Sequence, residues 1–202
     1  MSHLTSRQRL LKMFYPVVMF FSKLAGRNGR MIRNKKGAHP SRSIYELSID
    51  LNNGERLPLA SLRGKKLLLV NTASNCGYTG QYAELQQLHE QYGDKLAIIG
   101  FPANDFKEQE KGGDEEIASF CQRNFGVSFP LAKKSSVAKG SAQNPVFQWL
   151  TSPELNGWND QPPAWNFSKY LISEEGVLTH YFDAAISPLA QEVRASIVNR
   201  QS

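Results

Sequence analysis

The chain has 202 residues, 41% of them hydrophobic, and this length is enough to bury one core without disulfide bonds. Its two cysteines are too few for a disulfide framework and lack the paired spacing of a zinc site, which leaves a redox or a packing role. The net charge of +6 comes from residues 1–42, which contain ten Lys or Arg and no acid. Residues 43–202 carry a net charge of −4. Because that part of the chain is acidic, no nucleic-acid partner is expected.

Residues 1–42 are predicted to form a basic, partly apolar arm, and residues 43–202 a single folded domain. The uninterrupted apolar run of the arm, Met13 to Phe21, is much shorter than the roughly 20 residues that a membrane-spanning helix needs. Three interpretations of the arm stay open: a mobile tail, a helix on an anionic membrane surface, and a cleaved targeting segment. Pro16 weakens the helical interpretation. We expect a cytoplasmic protein with at most weak peripheral membrane contact, and export or organelle targeting remains open.

The first elements of the domain are predicted from turns and apolar runs. Two short strands flank an Asn-Gly turn at residues 52–54. The run "KKLLLVNTAS" is typical of a strand buried on both faces of a sheet. Apolar residues from Tyr82 to Tyr92 recur at helical spacing, and Gly93 ends that helix. A second buried strand, "KLAIIGF", stops at Pro102.

The second half of the domain continues the alternation of helices and strands. A helix is predicted from Asp114, as its N-cap, to Phe125, and another from Asn144-Pro145. The segments "KYLIS" and "VLTHYF" form a hairpin, and Ser187-Pro188 is predicted to open the last helix. This order predicts an α/β fold, a mixed sheet flanked by helices, that is compatible with the thioredoxin-like architecture.

Cys76 of "NTASNCGYTGQY" lies at the junction between the first buried strand and the first helix. The positive end of a helix favours an anion such as a thiolate. That effect is worth only about 0.3–1 kcal/mol, whereas a hydrogen bond to a charged group contributes about 1.5–3 kcal/mol. A reactive thiolate at this position therefore needs side-chain donors.

Five motifs, in order, carry a resemblance to the glutathione peroxidase family across residues 44–199: "NTASNCGYTGQY", "GFPANDFKEQE", "DEEIASFC", "VSFPL" and "AWNFSKYLI". In that family Gln, Trp and Asn side chains surround a peroxidatic Cys or selenocysteine. The resemblance implies that Cys76 is the peroxidatic cysteine and that Gln109, Trp165 and Asn166 are its uncharged donors. With these donors around the sulfur, we expect the pKa of Cys76 to lie below that of a free thiol.

The resemblance also implies a role for Cys121. Family members that use thioredoxin carry a resolving cysteine at this place in the helix. From the residues alone, a small apolar side chain on the buried face of that helix is an equal interpretation. The implied activity is that of a thiol peroxidase, which reduces hydrogen peroxide and organic hydroperoxides, lipid hydroperoxides among them. The reaction forms a sulfenic acid on Cys76, condenses it with Cys121 to a disulfide and uses thioredoxin or glutathione as reductant. We expect local unwinding of residues 114–126 to deliver Cys121, and we expect no metal or organic cofactor.

Two departures from the family pattern refine these expectations. "FPANDF" stands where many members read "FPCNQF", so Ala103 and Asp105 replace a cysteine and a glutamine. The segment from Trp149 to Trp165 is short compared with the insertion of tetrameric animal enzymes, so the resemblance implies a monomer.

Three other classes compete with this hypothesis. A peroxiredoxin has Thr where this chain has Ala73, and a thioredoxin-type oxidoreductase needs two cysteines where "CGYT" has one. The alternative from another class is a catalytically silent thioredoxin-like module, tethered to a membrane surface by the arm. The joint presence of Gln109, Trp165 and Asn166 argues against it.

Overall fold

The structure is a computed structural model that describes Leu10, Met13–Tyr15, Val17 and residues 29–199. Its strands are β1 (Met31–Arg33), β2 (Ser48–Asp50), β3 (Arg56–Pro58), β4 (Lys66–Thr72), β5 (Leu96–Pro102), β6 (Lys169–Ile172) and β7 (Leu178–Phe182). Its helices are α1 (Gln81–Tyr92), α2 (Asp114–Phe125), α3 (Pro145–Leu150), α4 (Pro153–Asn156) and α5 (Gln191–Val198), with 3₁₀ turns at Ile44–Glu46 and Leu59–Leu62. Within this part of the chain, no helix is long and apolar enough to cross a membrane.

The five-stranded sheet has the order β1-β7-β6-β4-β5, and β2 and β3 form a separate hairpin. The central strand β4 runs parallel to β5 and antiparallel to β6, so the sheet is mixed. Every residue of β4 is buried, as its continuous apolar run predicts. The predicted α/β, thioredoxin-like fold is confirmed.

Two layers of apolar side chains cover the sheet. One layer, which packs α1, α2 and α5 against the sheet, contains both cysteines. The other includes residues of α3 and the β2–β3 hairpin. Because the chemistry-bearing thiols belong to the first layer, any reaction that joins them takes place on this face of the sheet.

Strand register brings three loops to one edge of the sheet. Thr72 pairs with Pro102 at the carboxyl ends of the parallel strands β4 and β5, so the loops that follow both strands leave in the same direction. Val70 pairs with Lys169 near the start of the antiparallel strand β6, so the loop before β6 reaches the same edge. This is the edge at which open α/β sheets bind their ligands.

Three boundaries differ from the sequence-based prediction. β1 lies inside the predicted 1–42 arm and pairs with β7, so residues from 29 onward are part of the folded body. Gly113, rather than Asp114, is the N-cap of α2, and an Asp114 carboxylate oxygen instead accepts a hydrogen bond from the Lys134 N–H. The last helix begins at Gln191, because the Ser187 hydroxyl caps a short turn before it.

Candidate active site

Cys76 lies in the loop between β4 and α1 and is completely buried. The Tyr78 N–H donates to its sulfur over 3.5 Å, and the Thr79 N–H donates to its carbonyl oxygen. The chain therefore turns tightly around the thiol just before α1, and backbone N–H groups point at the sulfur as the strand-to-helix junction predicts.

Two of the four predicted partners lie at this thiol, and a third is connected to it through one of them. The Trp165 and Asn166 side chains lie near enough to the Cys76 sulfur to lower its pKa as donors. The Asn166 amide nitrogen also donates to the Gln109 side-chain oxygen at 3.0 Å, so Gln109 joins the site through Asn166. Gln109 is tied to the Cys76 loop a second time, since its carbonyl oxygen accepts from the Asn75 N–H at 3.0 Å.

The expected direction of the Cys76 pKa is wrong for this structure. Burial raises the pKa of the Cys76 thiol, and the hydrogen bonds from the Tyr78 N–H, Trp165, Asn166 and the Gly77 N–H only partly oppose that rise. The sequence indicates donors but not the depth of burial, and desolvation of the charged form is the larger effect here. The donors therefore reduce the cost of forming a buried thiolate without removing it.

Cys121 lies on α2 in the same apolar layer as Cys76, and both thiols are free. It is completely buried, and burial raises its pKa to about 12, although the Tyr82 hydroxyl interacts with the sulfur. A thiol in this state is almost wholly protonated and a poor nucleophile. In the reduced protein, Cys121 behaves as part of the core.

The polar groups of the site are not arranged for a metal. Among the described residues, no group of three or more His, Cys, Asp or Glu side chains could hold a metal ion. The side chains at Cys76 are an indole and amides, which are neutral hydrogen-bonding groups. The arrangement is suited to stabilising negative charge on sulfur and on an oxygen bound beside it.

Comparison with known proteins identifies the family. A model of the family described as "Glutathione peroxidase" matches residues 44–151. "Glutathione peroxidase homolog BsaA" of Halalkalibacterium halodurans is 45% identical over 148 residues, which cover 73% of this chain and 93% of that relative. "Glutathione peroxidase-like peroxiredoxin 2" of Saccharomyces cerevisiae is 40% identical over 156 residues, which cover 76% and 96%. The chain belongs to the glutathione peroxidase family.

A solved structure supports the same assignment. "Crystal structure of Trgpx in apo form" matches with a TM-score of 0.59 and 28% identity, and the match covers 78% of this chain and 94% of that one. The predicted family and the predicted class of enzyme, a peroxidase, are confirmed. The roles of the individual site residues stay predictions.

One residue that positions this glutathione peroxidase site was missed from the sequence. The buried Asn71 of β4 donates through its amide to the Trp165 carbonyl oxygen at 3.1 Å and accepts from the Ser168 N–H at 3.0 Å. These bonds fix the loop that carries Trp165 and Asn166 against the strand that leads to Cys76. A polar residue in the apolar run "LLLVNT" was the available signal.

The loops that carry the donors have unusual backbone conformations. Lys107 and Glu108, just before Gln109, have φ of 51°, and Phe167, just after Asn166, has φ of 69°. Left-handed φ is uncommon outside glycine and unfavourable for a bulky residue. Phe167 is held there by its N–H bond to the Asn71 carbonyl oxygen and by edge-to-face packing on Tyr82.

The family departure at Asp105 has a structural explanation. Its carboxylate accepts from the Ser136 hydroxyl at 2.9 Å and from the Val137 N–H at 2.6 Å. Asp105 thus ties the loop after β5 to the loop near residue 136.

Proposed function

We propose that this protein is a thiol peroxidase that reduces hydrogen peroxide and organic hydroperoxides, lipid hydroperoxides among them, with Cys76 as nucleophile. The observation that carries the proposal is the convergence of Trp165 and Asn166 on the one thiol at the strand-to-helix junction, with Gln109 bound to Asn166 behind them. A thiol that only packed in the core would gain nothing from polar partners, because the completely buried Asn166 amide must be desolvated to lie there.

In the first step, the Cys76 sulfur attacks one oxygen of the peroxide. An S–O bond forms and the O–O bond breaks, so the sulfur is oxidised to a sulfenic acid and the peroxide is reduced. The thiol proton finishes on the departing oxygen, which leaves as water or an alcohol. Trp165 and Asn166 stabilise the negative charge on sulfur without taking up that proton, because an indole and an amide are not bases at neutral pH.

In the second step, Cys121 resolves the sulfenic acid. Its sulfur attacks the Cys76 sulfur, an S–S bond replaces the S–O bond, and the thiol proton leaves with the hydroxide as water. Because burial holds the pKa of Cys121 at about 12, we propose that α2 unwinds locally before this step. Exposure to water returns the thiol toward its ordinary reactivity and frees its backbone to approach Cys76.

The third step is reduction of the disulfide by an external thiol. Thioredoxin is the reductant that we favour, because a protein dithiol reopens an intramolecular disulfide in one exchange sequence, and glutathione is the alternative. No cofactor enters this cycle, and we propose that the protein works as a monomer.

The decisive experiment measures peroxide consumption with each reductant in turn. Wild type is expected to consume hydrogen peroxide and cumene hydroperoxide with thioredoxin, its reductase and NADPH, and more slowly with glutathione. Cys76→Ser should abolish consumption with both. Wild-type protein that consumes no peroxide with either reductant would favour the silent membrane-tethered module instead.

We also propose that the N-terminal arm contacts an anionic membrane surface. Leu10, Met13, Phe14 and Val17 have helical backbone and are 44–63% exposed. At 100° per residue these four side chains fall within an arc of about 100°, and Tyr15 lies about 150° from its centre. The apolar stripe therefore faces away from the body, among ten Lys or Arg in the first 42 residues.

Tyr15 joins the arm to the active-site corner. Its hydroxyl donates to a Glu84 carboxylate oxygen at 2.9 Å, and its ring covers Gly80, where a larger residue would collide with it. Gly80 is four residues from Cys76. An arm held here would place the peroxidatic corner close to a bilayer bound by the stripe.

Co-sedimentation with phosphatidylglycerol vesicles tests the membrane proposal. The truncated protein should start at Gly29, because removal of residues up to 42 would also delete β1. Full-length protein is expected to bind in a salt-sensitive manner, and the truncated protein and a variant with Ser at the four stripe positions to bind much less. Equal binding by all three would refute the contact.

A further inference from the structure

Glu110 is a buried carboxyl group next to the proposed site that the peroxidase cycle leaves without a role. It is 1% exposed and immediately follows Gln109. One oxygen of the Glu110 carboxylate accepts a hydrogen bond from the Ser74 hydroxyl at 2.9 Å. The backbone N–H of Glu110 donates to the Asn104 side-chain oxygen at 2.9 Å. Because Ser74 is two residues before Cys76, this Ser74 hydrogen bond connects the loop after β5, which carries Glu110, to the loop that carries Cys76.

The other side of Glu110 faces the resolving cysteine. Burial is the main cause of the raised pKa values of Cys121 on α2 and Tyr82 on α1, and the charge of Glu110 raises both further, so Glu110 lies within electrostatic range of these two side chains. The second Glu110 oxygen, the Tyr82 hydroxyl and the Thr72 hydroxyl are buried and make no hydrogen bond of normal geometry. This is an under-satisfied polar cluster with Cys121 beside it, in an otherwise apolar layer.

A negative charge on Glu110 is unfavourable in this buried environment. Burial raises its pKa from 4.5 to about 7, and the opposing groups are the Ser74 hydrogen bonds and the more distant Lys134 cation. A carboxylate with one unpaired oxygen gains most from water. We expect water to reach this cluster when α2 moves away, because α2 begins four residues after Glu110 and carries Cys121, whose sulfur interacts with Tyr82.

We propose that Glu110 is a positioning residue that links the Cys76 corner to α2 and favours displacement of α2 when its carboxyl group ionises. This proposal deepens the proposed function, because the displaced helix is the one that delivers Cys121 to the sulfenic acid. The protonated carboxyl group keeps the helix docked and the carboxylate promotes its release. The disulfide forms by the second step of the proposed reaction, in which the Cys121 proton leaves as part of water. Glu110 neither supplies nor retains a proton in that step.

The direction of the pH effect follows from the raised pKa. The closed state holds the Glu110 proton up to about pH 7, whereas an open, hydrated Glu110 ionises near its ordinary value of 4.5. Opening therefore releases a proton and becomes more favourable as the pH rises toward 7. From these two values the opening equilibrium of α2 should increase by about tenfold between pH 6 and pH 8.

Hydrogen exchange of the reduced protein tests this inference without any peroxide chemistry. The readout is the protection of α2 amides at pH 6 and pH 8, corrected for the intrinsic exchange rates, in a Cys121→Ser background that removes titration of the thiol. Protection is expected to fall by about tenfold in this background and to stay constant when Glu110→Gln is added. Glu108→Gln, an exposed carboxylate on the same loop, should retain the tenfold fall.

Two results would overturn the inference. One is α2 protection that does not change with pH, and the other is an equal fall with and without Glu110→Gln. If Glu110→Gln fails to fold, Ser74→Ala gives the same decision. Loss of that hydroxyl should move the midpoint of the pH-dependent fall upward, and an unmoved midpoint contradicts the proposal. Because the protein stays reduced, failure here is distinct from failure of the peroxidase function.

Discussion

Replacement of Asn166 by Ala tests the donor set at Cys76 most directly. The side chain is buried, lowers the pKa of Cys76 as a donor beside the sulfur, and hydrogen-bonds the Gln109 side chain. A hydrogen bond to a charged group is worth about 1.5–3 kcal/mol, and each 1.36 kcal/mol changes the thiolate population tenfold. Asn166→Ala should therefore lower the rate constant for peroxide reduction at pH 7 by about tenfold to a hundredfold.

The assay is stopped-flow reduction of hydrogen peroxide by the reduced protein in a Cys121→Ser background, across pH 6 to 9. Because burial already raises the pKa of Cys76, the wild-type rate should rise with pH, and the variant should need a higher pH to reach the same rate. Asn156→Ala is the matched control, since Asn156 is equally buried but bonds only to residues near α4. The donor hypothesis fails if Asn166→Ala stays within threefold of the parent, or if both variants lose activity in proportion to their stability.

Three further changes give separate predictions. Trp165→Phe should slow peroxide reduction by at least about tenfold, through loss of a charge-assisted hydrogen bond, while ring packing on Phe106 preserves thermal stability in a melting experiment. Cys121→Ser should reduce one equivalent of peroxide in rapid mixing yet fail to turn over with thioredoxin, and parent-like turnover would make Cys121 a core residue only. Lys169→Met should flatten the pH dependence of stability in urea unfolding. Burial lowers the Lys169 pKa from 10.5 to about 7, so the unfolded chain binds the extra proton between these values and wild-type stability should rise by up to about 1.4 kcal/mol per pH unit there.

The sequence predicted the elements whose signals are local. The apolar run of β4 and the helical spacing of α1 appear almost at their predicted bounds, because each buries a continuous face that its own residues define. β1 was missed because a three-residue edge strand is stabilised by β7, about 150 residues away in the chain. The predicted start of α5 at Ser187-Pro188 was wrong. The Ser187 hydroxyl caps a short turn and donates to Glu84, a contact that no local pattern reveals.

The candidate site, like the fold, was predicted only in part from the sequence. Motifs named Cys76, Gln109, Trp165 and Asn166 as a group, but their meeting depends on distant pairings. The burial that raises the pKa of Cys76 is a property of the packed layer, and the charge preference of a helix end could not predict its size.

Strand register is the physical reason that three distant loops become one site. In the antiparallel pair of β4 and β6, a slip of one residue would turn every side chain of β6 to the opposite face. Lys169 would then lose its hydrogen bonds to the Gln81 side chain and the Ile186 carbonyl oxygen, and a buried amine without partners is unfavourable in either protonation state. The paired Asn71 and Ser168 would also separate, and with them the backbone that holds Asn166 at Cys76. The buried polar residues around β6 therefore select the single register in which the donors reach the thiol.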